Sequence, residues 1–343
     1  VLFDTLKLPS PRKTRGGQAS TSQQTLEKLA GCHVVVDSIL QFRKLEKMRS
    51  TYLDPLPRLV DSKGRLHTTF NQQGTATGRL SSRNPNLQNI PVRGPLGKRM
   101  RSCFIAGPGR ALVSADYSQV ELRVLAHMSQ DTALLEAFRL GEDIHSRTAA
   151  LIYDLPSDAV SLDQRRNAKT INFGLIYGMG AQKLAQELKI TINEAREFIA
   201  RYFQRLTGLK AFYERVEASA KEHGYVTTLA GRRRPVPGIR SANGQTYALA
   251  RRQAINTVIQ GSAADIIKLA MLAVAQDERL LRLDARLLLQ VHDELLLEVP
   301  VENAQEAGER VARLMQEVSP AGQALSVPLL VDWGLGENWG VAH

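Results

Sequence analysis

Leu287-Leu288-Leu289-Gln290-Val291-His292-Asp293-Glu294-Leu295-Leu296-Leu297-Glu298-Val299 consists of two apolar runs of strand length around a polar turn. A hairpin this apolar ordinarily turns on Gly or Asn, yet this one turns on two carboxylates and an imidazole. Leaving such charges unpaired beside a core costs on the order of several kcal/mol. They therefore form either a solvent-facing acidic turn or a site neutralised by a cation.

A second carboxylate bears on that choice. Ala111-Leu112-Val113-Ser114-Ala115 is another strand-length apolar run, stopped by Asp116, and Val120, Val124, Leu125 and Met128 after it fit a helix. Asp116 reads either as the N-cap of that helix or as a carboxylate delivered by a rigid strand. If Asp116 and Asp293 converge, they make an all-oxygen site suited to Mg²⁺. Two such ions roughly 3.5 to 4 Å apart serve in-line phosphoryl transfer.

Ser161-Leu162-Asp163-Gln164 matches a capping box and predicts a helix running to the Gly178-Met179-Gly180 turn. On it, Arg165, Lys169, Phe173 and Tyr177 recur every four residues, a drift of about 40° per step, so they share one face. That face runs from two cations to two aromatics, matching a triphosphate at one end and a base at the other. The competing reading is an amphipathic helix with its aromatics in the core; the lack of acids on this face and Gly174 beside Phe173 argue against it. Arg252, Asn256 and Gln260 have the same spacing and precede the small run Gly261-Ser262-Ala263-Ala264. With Arg79 they are donors fit for minor-groove acceptors, which every base pair presents. A buried polar network between helices remains open for them.

The 343 residues carry 45 Lys+Arg against 34 Asp+Glu, net +11, with 43% apolar residues and two cysteines. That length gives about two domains and a large core without disulfides. Cys32 and Cys103 form no CxxC pair or zinc cluster and read as reduced residues of a cytosolic protein. No apolar run of membrane-spanning length and no leader is evident. The start at Val1-Leu2-Phe3 suggests a fragment with its upstream part removed. The positive charge points to a polyanionic partner. It is uneven: residues 1 to 110 hold 19 basic and 6 acidic residues, residues 111 to 343 hold 26 and 28, and residues 277 to 343 hold 5 and 12.

Pro9 to Ser22 reads as a loop, with helices expected from near Thr25 and from Val36 to Tyr52, the latter closed by Pro55 and Pro57. Arg65 to Asn71 reads as a strand, Gly74 to Pro95 as irregular, and 181 to 223 and 245 to 280 as helical.

Taken together, DYSQVELR (116 to 123), the Arg165-to-Tyr177 helix, QGSAADIIK (260 to 268) and VHDE (291 to 294) resemble, in order, the signatures of the polymerase domain of bacterial family A DNA polymerases. TATGRLSS (75 to 82), PNLQNIPVR (85 to 93) and the ending GENWGVAH extend the resemblance over nearly the whole chain. It implies an α+β fold of right-hand polymerase architecture: an antiparallel-sheet palm, helical fingers and a partial helical thumb. The divisions expected are 1–57 partial thumb, 58–128 first part of the palm, 129–250 fingers and 251–343 second part of the palm.

The resemblance further implies template-directed addition of dNTPs to a primer 3′-OH, with a role in repair and replication gap filling. Asp116, Tyr117 and Asp293 would bind two Mg²⁺ ions, Mn²⁺ being the substitute, with Glu294 in support. Lys169 would protonate the leaving pyrophosphate, and Arg165, Lys169 and His145 would contact the triphosphate. Phe173 would lie against the sugar and Tyr177 near the base pair, with Gln119 also on the dNTP side. Glu121 would block a ribose 2′-OH. Arg79, Asn256, Gln260 and His292 would track the primer–template, and Arg252 and Arg93 would contact template or nucleotide. Primer–template DNA and dNTPs are the expected partners of a cytoplasmic, nucleoid-associated monomer that binds no membrane. Residues 1 to 57 can form only part of a thumb, which weakens DNA grip and processivity, and no exonuclease is expected. A two-metal nuclease, a non-catalytic duplex-binding module and a single-subunit RNA polymerase are the alternatives; Glu121 and Phe173 speak against the last.

Overall fold

The computed structural model describes residues 1–9, 16–92 and 94–343, and they divide into two compact units. The first comprises Val1–Thr69 and Arg83–Asn86, the second Phe70–Ser82 and Leu87–His343.

In the first unit the helices Gln23–Glu27 and Val34–Met48 enclose a small core of Leu26, Leu29 and Val36, backed by Leu2, Phe3, Leu8, Ile39 and Leu40. The expected Val36-to-Tyr52 helix thus starts two residues earlier and stops at Met48. Its continuation, Arg49–Leu53, is widened to π-helical geometry before Pro55. The strand expected from Arg65 shrinks to Thr69–Asn71. Asp61 is the reason: its carboxylate accepts from the Lys63 and Arg65 main-chain N–H groups at 2.8 and 2.9 Å and pairs with His67 at 2.9 Å, curling the chain away from extension.

The second unit is built on a four-stranded antiparallel sheet in the order Arg286–Val291, Glu294–Pro300, Arg110–Tyr117, Val331–Gly336. Strand alternation sorts its residues. Ala111, Val113, Ala115, Tyr117, Leu295, Leu297 and Val299 enter the main hydrophobic core, where Val120–Ser129, Gly244–Gln276 and Ala304–Gln316 also contribute. Ser114, Asp116 and Glu294 take the other face, the face of Trp339 and Arg101.

The helix expected over 245 to 280 is Gly244–Gln276, started by Asn243, whose Oδ1 accepts from Gln245 and Thr246 at 3.0 Å each; Asp277 then caps the separate helix Glu278–Arg282. Contrary to the sequence reading, one 18-residue window of the long helix is apolar enough to cross a membrane. The apolarity serves the core, since 61% of that window is buried inside the protein.

Leu162–Ile176 begins with both halves of the Ser161/Gln164 capping box in place, and Tyr177 is its C-cap. The helical stretch 181 to 223 resolves into Ala181–Leu188, Ile192–Arg205 and Thr207–His223. Gly94–Ser102, Ala304–Gln316 and the strand Val331–Gly336 have no counterpart in the sequence reading.

Candidate active site

Sheet register brings the two carboxylates together. Asp116 lies opposite Glu294 on one neighbouring strand and opposite Asp332 on the other, and the Tyr117 N–H donates to the Asp293 carbonyl at 3.2 Å. The hairpin turns at His292, whose φ of 54° is in the left-handed region, and at Asp293. Burial first, then repulsion from Asp293 and Glu294, pushes the Asp116 carboxyl up to about 7. Burial also raises Asp293, opposed by Arg79 and His292.

Glu294 has the opposite fate. Burial works to raise it, but His343, Ser114, Arg101 and Trp339 hold it at about 2. Ser114 Oγ and Trp339 Nε1 donate to its Oε1 at 2.6 and 2.7 Å, and Arg101 Nη1 donates to Oε2 at 3.1 Å. The Arg101 guanidinium also stacks over the Trp339 ring, 4.1 Å from its centroid. Glu294 is therefore an anchor under the turn, its oxygens already taken.

Mg²⁺ suits what remains. Asp293 Oδ1 is buried without a hydrogen-bond partner, and the repulsion at Asp116 is what a cation would relieve. The Tyr117 phenol points into the core and donates to the Met315 carbonyl at 2.6 Å, so only a main-chain oxygen of that residue is available. Among the described residues no group of three or more His, Cys, Asp or Glu is arranged to hold a metal ion together. Two carboxylates that leave positions for water and phosphate match the preference of Mg²⁺.

Beside this turn, Glu121 is buried and bridged by two donors: Arg79 Nη2 to Oε1 and Tyr177 Oη to Oε2, both at 2.5 Å. Burial raises its carboxyl, and Tyr177 and Arg79 counter that. The Gln260 side chain lies beside the Tyr177 hydroxyl and works against the rise in its pKa, so residues from four separate sequence motifs meet here. Arg79 sits on a loop shaped by Gly78, whose φ is +81° and above which the Arg232 guanidinium packs. Arg232 in turn reaches Asp265 at 2.9 Å and the Thr77 carbonyl at 2.8 Å. A cleft lined by Arg79, Leu80, Gln88, Lys268, Gln290 and His292 opens alongside. Gln119, at the left-handed N-cap of Val120–Ser129, keeps a buried Oε1 with no hydrogen-bond partner.

The other end of the Leu162–Ile176 helix, about 18 Å along its axis from Tyr177, carries a second cluster. Arg165 is not free: Asp143, the cap of Ile144–Tyr153, accepts from it through both oxygens at 3.1 and 2.6 Å. Burial works to raise Asp143, but Arg165 and Ser146 hold it at about 2. Lys169 is exposed and makes no ion pair or hydrogen bond among the described residues. His145 is buried, and burial drives its imidazole down to about 4. Asn172 Nδ2 donates to its Nδ1 at 3.1 Å, which places the proton of the neutral ring on Nε2. Phe173 packs against that ring, 5.6 Å between centroids. Gly174 makes room for Met179.

Along Gly244–Gln276, Arg252 is exposed and its stem lies over Gly178, while Asn256 has a buried Oδ1 without a partner. Arg93 lies outside the described residues. Sequence reasoning missed Asp143, Asp332, Arg101, Ser114 and Arg232. The Val327-to-Val331 apolar run was the available signal for the strand that carries Asp332.

Comparison with known proteins agrees over the whole chain. The family model described as DNA polymerase family A matches residues 1–341. The thermostable DNA polymerase I of Thermus aquaticus is 52% identical over 341 residues, 99% of this chain and 40% of the relative. DNA polymerase I of Deinococcus radiodurans is 50% identical over 99% of this chain and 35% of its own length. The chain thus spans about two fifths of the curated relatives it matches. The solved POL domain of Pol1 from M. smegmatis, in complex with DNA primer-template and dNTP, superposes with a TM-score of 0.92 at 43% identity, covering 100% of this chain and 60% of that one. The antiparallel sheet with its packed helices is therefore the right-hand polymerase architecture implied by the sequence motifs, and the chain belongs to DNA polymerase family A.

Proposed function

We propose that this chain extends a primer 3′-OH along a DNA template with dNTPs and releases pyrophosphate, in repair and replication gap filling. One observation supports this above the others: Asp116, pushed up to about 7, and Asp293, with an unpartnered buried oxygen, are tied together by strand register in a chain of this family. In this reading residues 1–57 belong to a partial thumb, 58–128 and 251–343 to the palm and 129–250 to the fingers.

Asp116, Asp293 and the main-chain oxygen of Tyr117 would hold Mg²⁺, as two ions. Bound there, the metal supplies activation of the 3′-OH and neutralises charge on the triphosphate. Lys169, exposed and unpaired among the described residues, offers its ammonium to the triphosphate and a proton to the departing pyrophosphate. Arg165 reaches a phosphate by exchanging Asp143 for it, and neutral His145 can donate only through Nε2. Glu121, fixed by Arg79 and Tyr177, closes the space where a 2′-OH would stand. Arg79, Arg252, Asn256, Gln260 and His292 follow the primer–template, and Arg93 joins them by resemblance. Closure of the Arg165-to-Tyr177 helix on a well-shaped base pair gives selectivity by induced fit.

Primer extension tests the reading. Asp116→Ala and Asp293→Ala are each expected to abolish extension while duplex binding persists, and extension retained in either variant overturns it. Shortening of the labelled primer in Mg²⁺ without dNTPs would favour a two-metal nuclease, which shares the carboxylates and has no need of the Arg165/Lys169 face.

A further inference from the structure

Arg79 stands between two carboxylates and satisfies only one. Its Nη2 donates to Glu121 Oε1 at 2.5 Å, and the same atom lies 3.7 Å from Asp293 Oδ1, beyond hydrogen-bond reach. Among the described residues Asp293 Oδ1 is buried without a hydrogen-bond partner, and so is Arg79 Nε. An unmet donor and an unmet acceptor on neighbouring groups are costly, yet turning the guanidinium toward Asp293 would strip Glu121. The main chain cannot relieve this conflict. Thr75 Oγ1 holds the Arg79 carbonyl at 2.8 Å, and Arg232 fills the space above Gly78. The Arg79 side chain is therefore the movable part.

We infer that Arg79 is the chain's own counter-cation for Asp293, and that it competes with a divalent metal for that carboxylate until a duplex draws it away. This rests on the reading of Asp293 as a metal ligand. Electrostatics favours a cation beside Asp293 in every state, but two cations at one carboxylate repel each other. Metal-free, the site is quieted by Arg79. A primer–template that takes the guanidinium into its minor groove removes the competitor, so the metal binds more tightly once a primer end is present. Linkage makes the effect mutual: the metal tightens the duplex by the same factor.

Binding of Mn²⁺ alone to the full chain, followed by electron paramagnetic resonance without dNTP, tests this. Arg79→Gln is expected to bind Mn²⁺ about fivefold to tenfold more tightly than wild type in the absence of DNA. Arg79→Lys, which keeps the charge, is expected to stay within about twofold. Adding primer–template is expected to tighten Mn²⁺ binding in wild type and to leave Arg79→Gln unchanged. Misfolding cannot imitate a gain in affinity. Equal or weaker Mn²⁺ binding by Arg79→Gln, or an undiminished response to duplex, overturns the inference. Asp293→Asn separates the two levels: if it loses the site while Arg79→Gln matches wild type, the metal reading stands and only the competition falls. If Asp293→Asn keeps the site, both fall.

Discussion

The Tyr117 N–H donates to the Asp293 carbonyl at 3.2 Å, so the strand bearing Asp116 and the turn bearing Asp293 are joined within one residue of each carboxylate. The approach of the two acids is therefore a property of sheet register. A one-residue slip would carry Asp116 to the core face, where Tyr117 now sits, and ruin core and site together.

Glu294 is expected to govern stability more than chemistry. Arg101→Met takes the guanidinium away from its buried charge, both side chains being 3% exposed, leaves only the His343 ring at 3.5 Å, and is expected to cost about 3–5 kcal/mol. Arg101→Met/Glu294→Gln is expected to recover most of that loss, and Trp339→Phe alone to cost about 1–3 kcal/mol. Urea denaturation of the three variants measures all of these.

Acid is expected to weaken the fold through His145. Its imidazole is held near 4 by burial, below the ordinary 6.5, so the unfolded chain takes up the proton first. The stability it contributes is complete above pH 6.5 and is lost as pH falls toward 4. Between about pH 7.5 and 5 the loss comes to about 2 kcal/mol. His145→Gln is expected to flatten that part of the stability–pH curve, as followed by thermal melts at a series of pH values.

Sugar selection is expected to hinge on Glu121. Glu121→Ala is expected to lower the preference for dNTP over rNTP by at least about tenfold, read as the ratio of kcat/KM values. An unchanged ratio would remove Glu121 from the role of gate.

Gly78→Ala is expected to act at a distance. The new Cβ would lie 2.4 Å from Arg232 Cζ at a φ of +81°, so Arg232 must leave and the Arg79 loop loosens. A loss of at least about 1 kcal/mol follows, with weaker primer–template binding in a fluorescence anisotropy titration.

Salt is expected to weaken duplex binding steeply. The net +13 of residues 1 to 110 and the six arginines of residues 232 to 252, which include no acid, are expected to supply most of the phosphate contacts. A fall of about two to four orders of magnitude between about 50 and 200 mM salt is expected. A flat salt profile would relocate the duplex away from these segments.

Local signals in the sequence were enough for the elements that carry the family motifs. The apolar runs around Asp116 and Asp293, the Ser161/Gln164 box and the small residues after Gln260 each have one strong reading. What escaped depends on partners far along the chain. Asp143 looks like an ordinary helix cap until Arg165 folds onto it from 22 residues away. Arg101 and Trp339 acquire meaning only through Glu294, and the Val331–Gly336 strand is broken by two glycines that blur its alternation. Asp61 defeated the strand expected at Arg65 because its carboxylate competes locally for main-chain donors, which an apolar/polar pattern does not register.

The strands that bear Asp116 and Glu294 are the two inner members of the four-stranded sheet, and Arg286–Val291 and Val331–Gly336 shield them on either side. Fraying of a sheet begins at its margins, whose amides exchange with solvent first. Asp116 is therefore among the last parts of this unit to come apart, and the Tyr117 N–H holds the Asp293 carbonyl to the same inner strand. On heating, loss of activity and loss of the fold are expected to coincide, with no half-molten species that is intact in outline and dead in chemistry.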